Sequence, residues 1–227
     1  MPLIRVYKSG RVERYFVTDT TPASLDPATE VSSKGVAISP DIGVSTRLYI
    51  PKQLATTGDH PEKRLPVLVY YHGGGFCLGT AFNRVFHDFV NSLVVAQANV
   101  VAVSAEYRLA PEHSLPAAYE DSWAILRWVA AHAAGGGHAA EAWLVEHADF
   151  ERVYLAGESA RGNIVHHMAM RAGRDGLPCG VRIRGMTLIH PYFFGIGQGR
   201  VGGDGPGDER EFGEAVGNDM PGDDGTR

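Results

Sequence analysis

The stretch 153-VYLAGESARGNIVHHMAMRA-172 holds the pattern on which the fold of this 227-residue chain turns. Val153–Ala156 is a short apolar run of the kind a buried strand presents, and the spacing from Gly162 to Ala172 predicts a helix. Between them, Gly157-Glu158-Ser159-Ala160-Arg161-Gly162 leaves room only for a sharp turn. A serine on such a turn stands out from the sheet edge. The next backbone N–H, that of Ala160, is aimed at the same point, and the helix N-terminus adds partial positive charge. Alone, a Gly-x-Ser pattern also fits an ordinary helix N-cap serine. A second motif shifts the balance: His72-Gly73-Gly74-Gly75-Phe76 follows the apolar run Pro66–Tyr71. Glycines there let backbone N–H groups approach a ligand with no Cβ in the way. A plain turn does not explain three of them in succession beside aromatics. A nucleophilic hydroxyl and a set of amide donors for an oxyanion are two parts of one kind of site, suited to attack on a carbonyl.

Outward from these motifs the pattern continues as alternating strands and helices. Val36–Ile38 and Val44–Ile50 flank the turn-forming cluster Pro40-Asp41-Ile42-Gly43 and read as a hairpin. Thr56 to Arg64 reads as a polar loop. Phe86, Phe89, Val90, Leu93 and Val94 fall at helical spacing, Val100–Ser104 is another buried-strand run, and Ala117 to His132 reads as a helix with Trp123, Leu126 and Val129/Ala130 inward. Met186–Ile189 is the last clear strand. This alternation predicts an α/β fold, a mostly parallel sheet with helices on both faces. Asp121 and Glu120 read as a solvated helix face. Tyr70, Tyr71, Phe76 and Tyr107 suit pocket walls and core packing equally well.

Composition bounds the rest. The 44% hydrophobic content is that of an ordinary globule, and the net charge of −5 is mild. The segment from Gly195 to Arg227 holds eight acids against three arginines, so the body before it is balanced, and no basic stripe points to nucleic acid. Eleven glycines and few apolar residues in that segment predict a disordered tail, leaving 1–194 as one domain. Cys77 and Cys179 show no paired spacing, which argues against a disulfide scaffold or zinc site and for a reducing compartment. No run approaches the roughly 18 apolar residues of a membrane span, and no secretory signal is readable at the N-terminus, so the cytoplasm is the expected location.

Val67–Gly79 (VLVYYHGGGFCLG), Glu106–Trp123 (EYRLAPEHSLPAAYEDSW), Ala148–Ala160 (ADFERVYLAGESA), Gly162–His167 and Gly185–Tyr192 (GMTLIHPY) carry a resemblance. In this order they closely resemble the hormone-sensitive-lipase-like branch of the α/β-hydrolase superfamily, and the plant carboxylesterases in particular. The likeness spans roughly residues 5–194, and Gly10–Phe16 and Ser24–Pro51 look like the same branch. The resemblance implies hydrolysis of a small-molecule ester with no metal and no cofactor. Ser159 would be the nucleophile, and Gly74, Gly75 and Ala160 would supply the oxyanion amides. His72 and Gly73 would support the loop, and the N-terminal segment would form part of a cap. An alternative is a non-catalytic small-molecule-binding protein related to the gibberellin receptors, although His72–Gly75 keeps the enzyme-like glycines.

Two departures stand out. The family has glycine at the position of Arg161, where a long side chain either distorts the turn and partly covers the oxyanion site or swings out to solvent. In addition, the family's acid and histidine follow the serine late in the chain. Here His190 is the last histidine. His166 and His167 stand about 10–12 Å along the helix from Ser159, at 1.5 Å per residue, beyond the ~3 Å a general base needs. His113 belongs to a stretch that is structural by resemblance. The expectation is a chain truncated at its C-terminus, lacking the last strands, nearly inactive by itself and left with an exposed edge after Met186–Ile189.

Overall fold

The computed structural model describes residues 2–51, 64–136 and 140–193, together with the backbone of 209–212. A seven-stranded sheet forms the centre, in the order β3-β4-β5-β7-β6-β8-β9. Its strands are β3 (Leu25–Asp26), β4 (Val31–Ser39), β5 (Val44–Pro51), β6 (Leu65–Tyr71), β7 (Val101–Glu106), β8 (Ala148–Glu158) and β9 (Ile183–Ile189). β7, β6, β8 and β9 are parallel to one another, and the hairpin β4–β5 joins antiparallel through β5. The hairpin turn falls on Pro40–Ile42, closed by Gly43 in the left-handed region at φ 75°. A smaller sheet pairs β1 (Ile4–Tyr7) with β2 (Val12–Arg14) on one side.

Helices cover both faces, as the alternation predicts. On one face α3 (Ala117–Ala131), α4 (Ala142–His147) and α5 (Ala160–Asp175) close a large core with Val67, Val69, Tyr71, Val101 and Val103. On the other face Tyr49, Tyr70 and Ala102 pack with Val90 and Val95. Those last two belong to a continuous helical run made of α1 (Arg84–Asp88), a π-helical stretch (Phe89–Val95) and the short turn α2 (Ala96–Ala98). Of the apolar stripe expected there, the side chains of Leu93 and Val94 lie outside the described residues. Strands β6 and β7 read as unbroken apolar runs because alternate side chains enter opposite cores. Tyr70 and Tyr71 are therefore both core residues, one on each face.

Two expectations fall largely outside the described residues, and a third is corrected. The polar loop from Thr56 falls outside the described residues except for Arg64. The tail 195–227 lies outside them too, apart from β10 (Glu209–Phe212), which pairs antiparallel with β1. Asp121 is the clear correction. It is 2% exposed, not solvated. It accepts hydrogen bonds from the backbone N–H, Nε and Nη2 of Arg108 at 3.0, 2.9 and 2.7 Å. A charge pattern alone does not separate a solvated acid from one paired across a loop. Glu120 behaves as expected, exposed and paired with Arg171. D121A is expected to lower stability by about 2 kcal/mol, because it removes the buried carboxylate that accepts three hydrogen bonds from Arg108, whereas E120A costs within about 0.5 kcal/mol. Urea denaturation of the two variants checks the contrast.

Candidate functional site

The two motifs meet because β6 and β8 are parallel neighbours whose C-terminal ends are level. Tyr71 pairs with Gly157. The chain leaving β6 as His72–Gly75 therefore emerges beside the chain leaving β8 as Glu158–Ala160. A Cβ on Gly73 would sit 3.4 Å from Glu158 Oε2, so the Glu158 side chain packs directly on the loop.

Ser159 sits at φ 57°, ψ −126°, immediately before α5. A non-glycine residue in this region stores about 1–3 kcal/mol of strain and persists only where its surroundings over-determine it. They do so here. The Ser159 N–H donates to the Ile189 carbonyl at 2.8 Å, and its own carbonyl accepts from Gly162 and Tyr192, each at 3.0 Å. The two flanking glycines are sterically required. A Cβ on Gly157 would fall 2.6 Å from the Arg161 carbonyl oxygen, and one on Gly162 would fall 2.8 Å from Pro191 Cβ. Ser159 is half-buried, Gly74 half-buried and Gly75 exposed, so the junction opens to solvent.

The glycine loop doubles back on itself. Cys77 and Leu78 donate their N–H groups to the Gly74 carbonyl at 3.1 and 2.8 Å. His72 anchors its start from within the core. Its ring stacks on Tyr107 at a centroid distance of 5.0 Å, and Nδ1 lies 3.1 Å from the Gly73 carbonyl oxygen. A proton on Nδ1 satisfies that contact and leaves Nε2 as an acceptor, 3.9 Å from Glu106 Oε2. Burial, reinforced by the Arg161 charge, pushes the His72 pKa down to about 3. His72 is thus a neutral structural imidazole.

Glu106, at the end of β7, carries a largely buried carboxyl, its side chain 17% exposed. It lies on no recognised catalytic pattern, and only its position after an apolar run signals it. It accepts from the Ala81 N–H. Burial raises its pKa to about 7, against the opposing pull of the Ala81 amide and of Arg161. The unfolded carboxyl ionises near 4.5, so the cost of ionising it in the fold is absent below that pH. The cost grows through the interval up to 7 and is complete above it. E106Q is expected to match the parent at pH 4.5 and to exceed its stability by about 2 kcal/mol at pH 8. Denaturant melts at both values test this, and an equal gap at both would contradict it.

Arg161 resolves against the outward path. It is 0% exposed. Its Nε donates to the Tyr107 hydroxyl and its Nη2 to the Leu78 carbonyl at 3.2 Å. The guanidinium lies 5.7 and 5.1 Å from the ring centroids of Phe76 and Tyr107. Phe76 and Tyr107 thus enclose this side chain.

Histidines stand elsewhere. The His166 ring packs edge-on to Phe193 and the His167 ring edge-on to Tyr119, while His190 is exposed at the end of β9. Among the described residues, no side chain hydrogen-bonds the Ser159 hydroxyl. A cavity of about 470 Å3, lined in part by Arg14, Gly79, Glu106 and Tyr107, includes neither Ser159 nor Gly74 nor Gly75 in its wall. Among the described residues, no helix is long and apolar enough to cross a membrane.

A family profile described as the alpha/beta hydrolase fold matches residues 68–213. The probable carboxylesterase 13 of Arabidopsis thaliana is 48% identical over 197 residues, covering 85% of this chain and 59% of that protein. A 2-hydroxyisoflavanone dehydratase of Glycyrrhiza echinata is 47% identical over 197 residues, covering 86% and 58%. Among solved structures, the hyperthermophilic esterase of Pyrobaculum calidifontis superposes with a TM-score of 0.52 at 32% identity, covering 71% of this chain and 45% of that one. The chain spans less than two thirds of the length of these curated relatives.

Proposed function

Because this chain belongs to the alpha/beta hydrolase fold family, we propose that the protein is a carboxylic-ester hydrolase acting on a small-molecule ester, with Ser159 as its nucleophile. The observation that carries this reading is the level pairing of Tyr71 with Gly157, which sets the strained serine beside the glycine loop. In the proposed reaction Ser159 Oγ bonds to the ester carbonyl carbon while its proton passes to a base. The carbonyl oxygen becomes an oxyanion received by the N–H groups of Gly74, Gly75 and Ala160. Collapse expels the alcohol and leaves an acyl-serine, which water then cleaves to the acid. His72 and Gly73 hold the loop in place, and no metal or cofactor takes part.

No described histidine is hydrogen-bonded to the Ser159 hydroxyl as its base, and the His72, His166 and His167 rings pack on Tyr107, Phe193 and Tyr119. A small exogenous base therefore takes that role in the test. The chain is incubated with a short-chain p-nitrophenyl ester and imidazole, then digested for mass spectrometry. An acyl group on Ser159, absent from S159A, is expected. Acylation confined to other residues would overturn the assignment. A cytoplasmic location belongs to the same reading, supported by two unpaired cysteines.

A further inference from the structure

Arg161 brings a charge into the interior at an energetic cost, and the atoms it touches show what the charge holds. A desolvated cation carries a penalty of several kcal/mol unless its surroundings compensate. Among the described residues, no carboxylate stands within 4.0 Å of this guanidinium, and Nη1 has no hydrogen-bond partner. Its two contacts nevertheless converge on one object. Nη2 donates to the Leu78 carbonyl. Nε donates to the Tyr107 hydroxyl, which in turn donates to the His72 carbonyl at 3.3 Å. His72 and Leu78 are the two ends of the glycine loop.

The Leu78 carbonyl also packs against Gly74. A Cβ on Gly74 would lie 2.3 Å from that oxygen. A group that fixes the Leu78 oxygen therefore fixes the backbone of Gly74, and with it the direction of the neighbouring amides. Arg161 itself sits in the first turn of α5, two residues after Ser159.

We propose that Arg161 is a positioning residue that clamps the 72–78 loop from inside, holding both of its ends to the serine turn. The clamp stands on these contacts alone, and only its consequence for catalysis rests on the ester-hydrolase reading.

Hydrogen exchange followed by mass spectrometry on the full chain at neutral pH tests it, with no ester or inhibitor present. In R161M the Cys77 and Leu78 amides are expected to exchange about tenfold faster or more, the equivalent of losing one charge-assisted hydrogen bond. Exchange in the β4–β5 hairpin is expected to stay unchanged. R161K, whose ammonium can still reach the Leu78 carbonyl, is expected to restore most of the protection. Unaltered exchange over 72–79 in R161M would overturn the proposal. So would an increase shared equally by the hairpin, which would mark a merely structural role. If R161M does not fold, Y107F carries the same measurement, because it cuts the arm to His72. Exchange at 72–79 like that of the parent would then sink the clamp. Failure of Ser159 to acylate would leave these results untouched.

Discussion

Turnover of a short-chain p-nitrophenyl ester by the 227-residue chain alone is expected to fall about a million-fold below that of a complete serine esterase. The reason is local to the hydroxyl. A serine at its free pKa is a poor nucleophile, and it becomes competent only when a base within ~3 Å takes its proton. His72 is locked between Tyr107 and the Gly73 carbonyl, His166 packs on Phe193, and His167 packs on Tyr119. What survives is substrate binding and the amide donors, worth about 10³–10⁴ over water in comparable triad deletions. S159A is then expected to leave this residual rate nearly unchanged, because the serine adds little without its base. A Ser159-dependent rate near 10 per second, ordinary for enzymes, would contradict the account.

G74A is expected to destabilise the protein by about 3 kcal/mol, well beyond the cost of G75A. Both glycines occupy the left-handed half of conformational space, at φ 127° and 60°. Backbone preference already favours this order: φ 60° lies in the left-handed well, which costs an L-residue about 1–2 kcal/mol, whereas φ 127° lies outside it. Surroundings widen the gap. At Gly74 the new methyl would meet the Leu78 carbonyl oxygen at 2.3 Å and its carbon at 2.8 Å, both backbone atoms that cannot rotate away. At Gly75 nothing lies within 4 Å. Overpacking adds about 1–3 kcal/mol to the strain. Losing the loop geometry should also weaken oxyanion binding in G74A, since one misplaced donor costs about 10²–10³ in rate. Paired denaturant titrations decide it, and equal destabilisation by the two variants would count against the described loop.

How legible this was depended on the kind of signal. Apolar runs at Pro66–Tyr71 and Val153–Ala156 located the central strands, because strands buried on both faces have no polar side to confuse the pattern. The serine turn was legible because glycine at 157 and 162 is a steric necessity that composition records directly. Partners distant in sequence were not. Asp121 reads as one acid among helix charges, and only the fold brings Arg108 against it. Arg161 reads as an intruder with two possible fates. Its burial depends on a space bounded by Phe76, Leu78 and Tyr107, three residues more than 50 positions upstream. Glu106 shows the same limit, because its carboxyl matters only for what surrounds it.

The most direct test of the site is whether the Ser159 hydroxyl and the amides of Gly74, Gly75 and Ala160 address one point. A short alkylboronic acid bonds to a serine oxygen and presents a tetrahedral, anionic oxygen where the oxyanion would form. In a chain labelled with ¹⁵N at glycine and alanine, titration with this probe is expected to shift the Gly74, Gly75 and Ala160 amide resonances together, with no such response in S159A. A response from Ala160 without the loop glycines, or one indifferent to the loss of Ser159, would contradict the account.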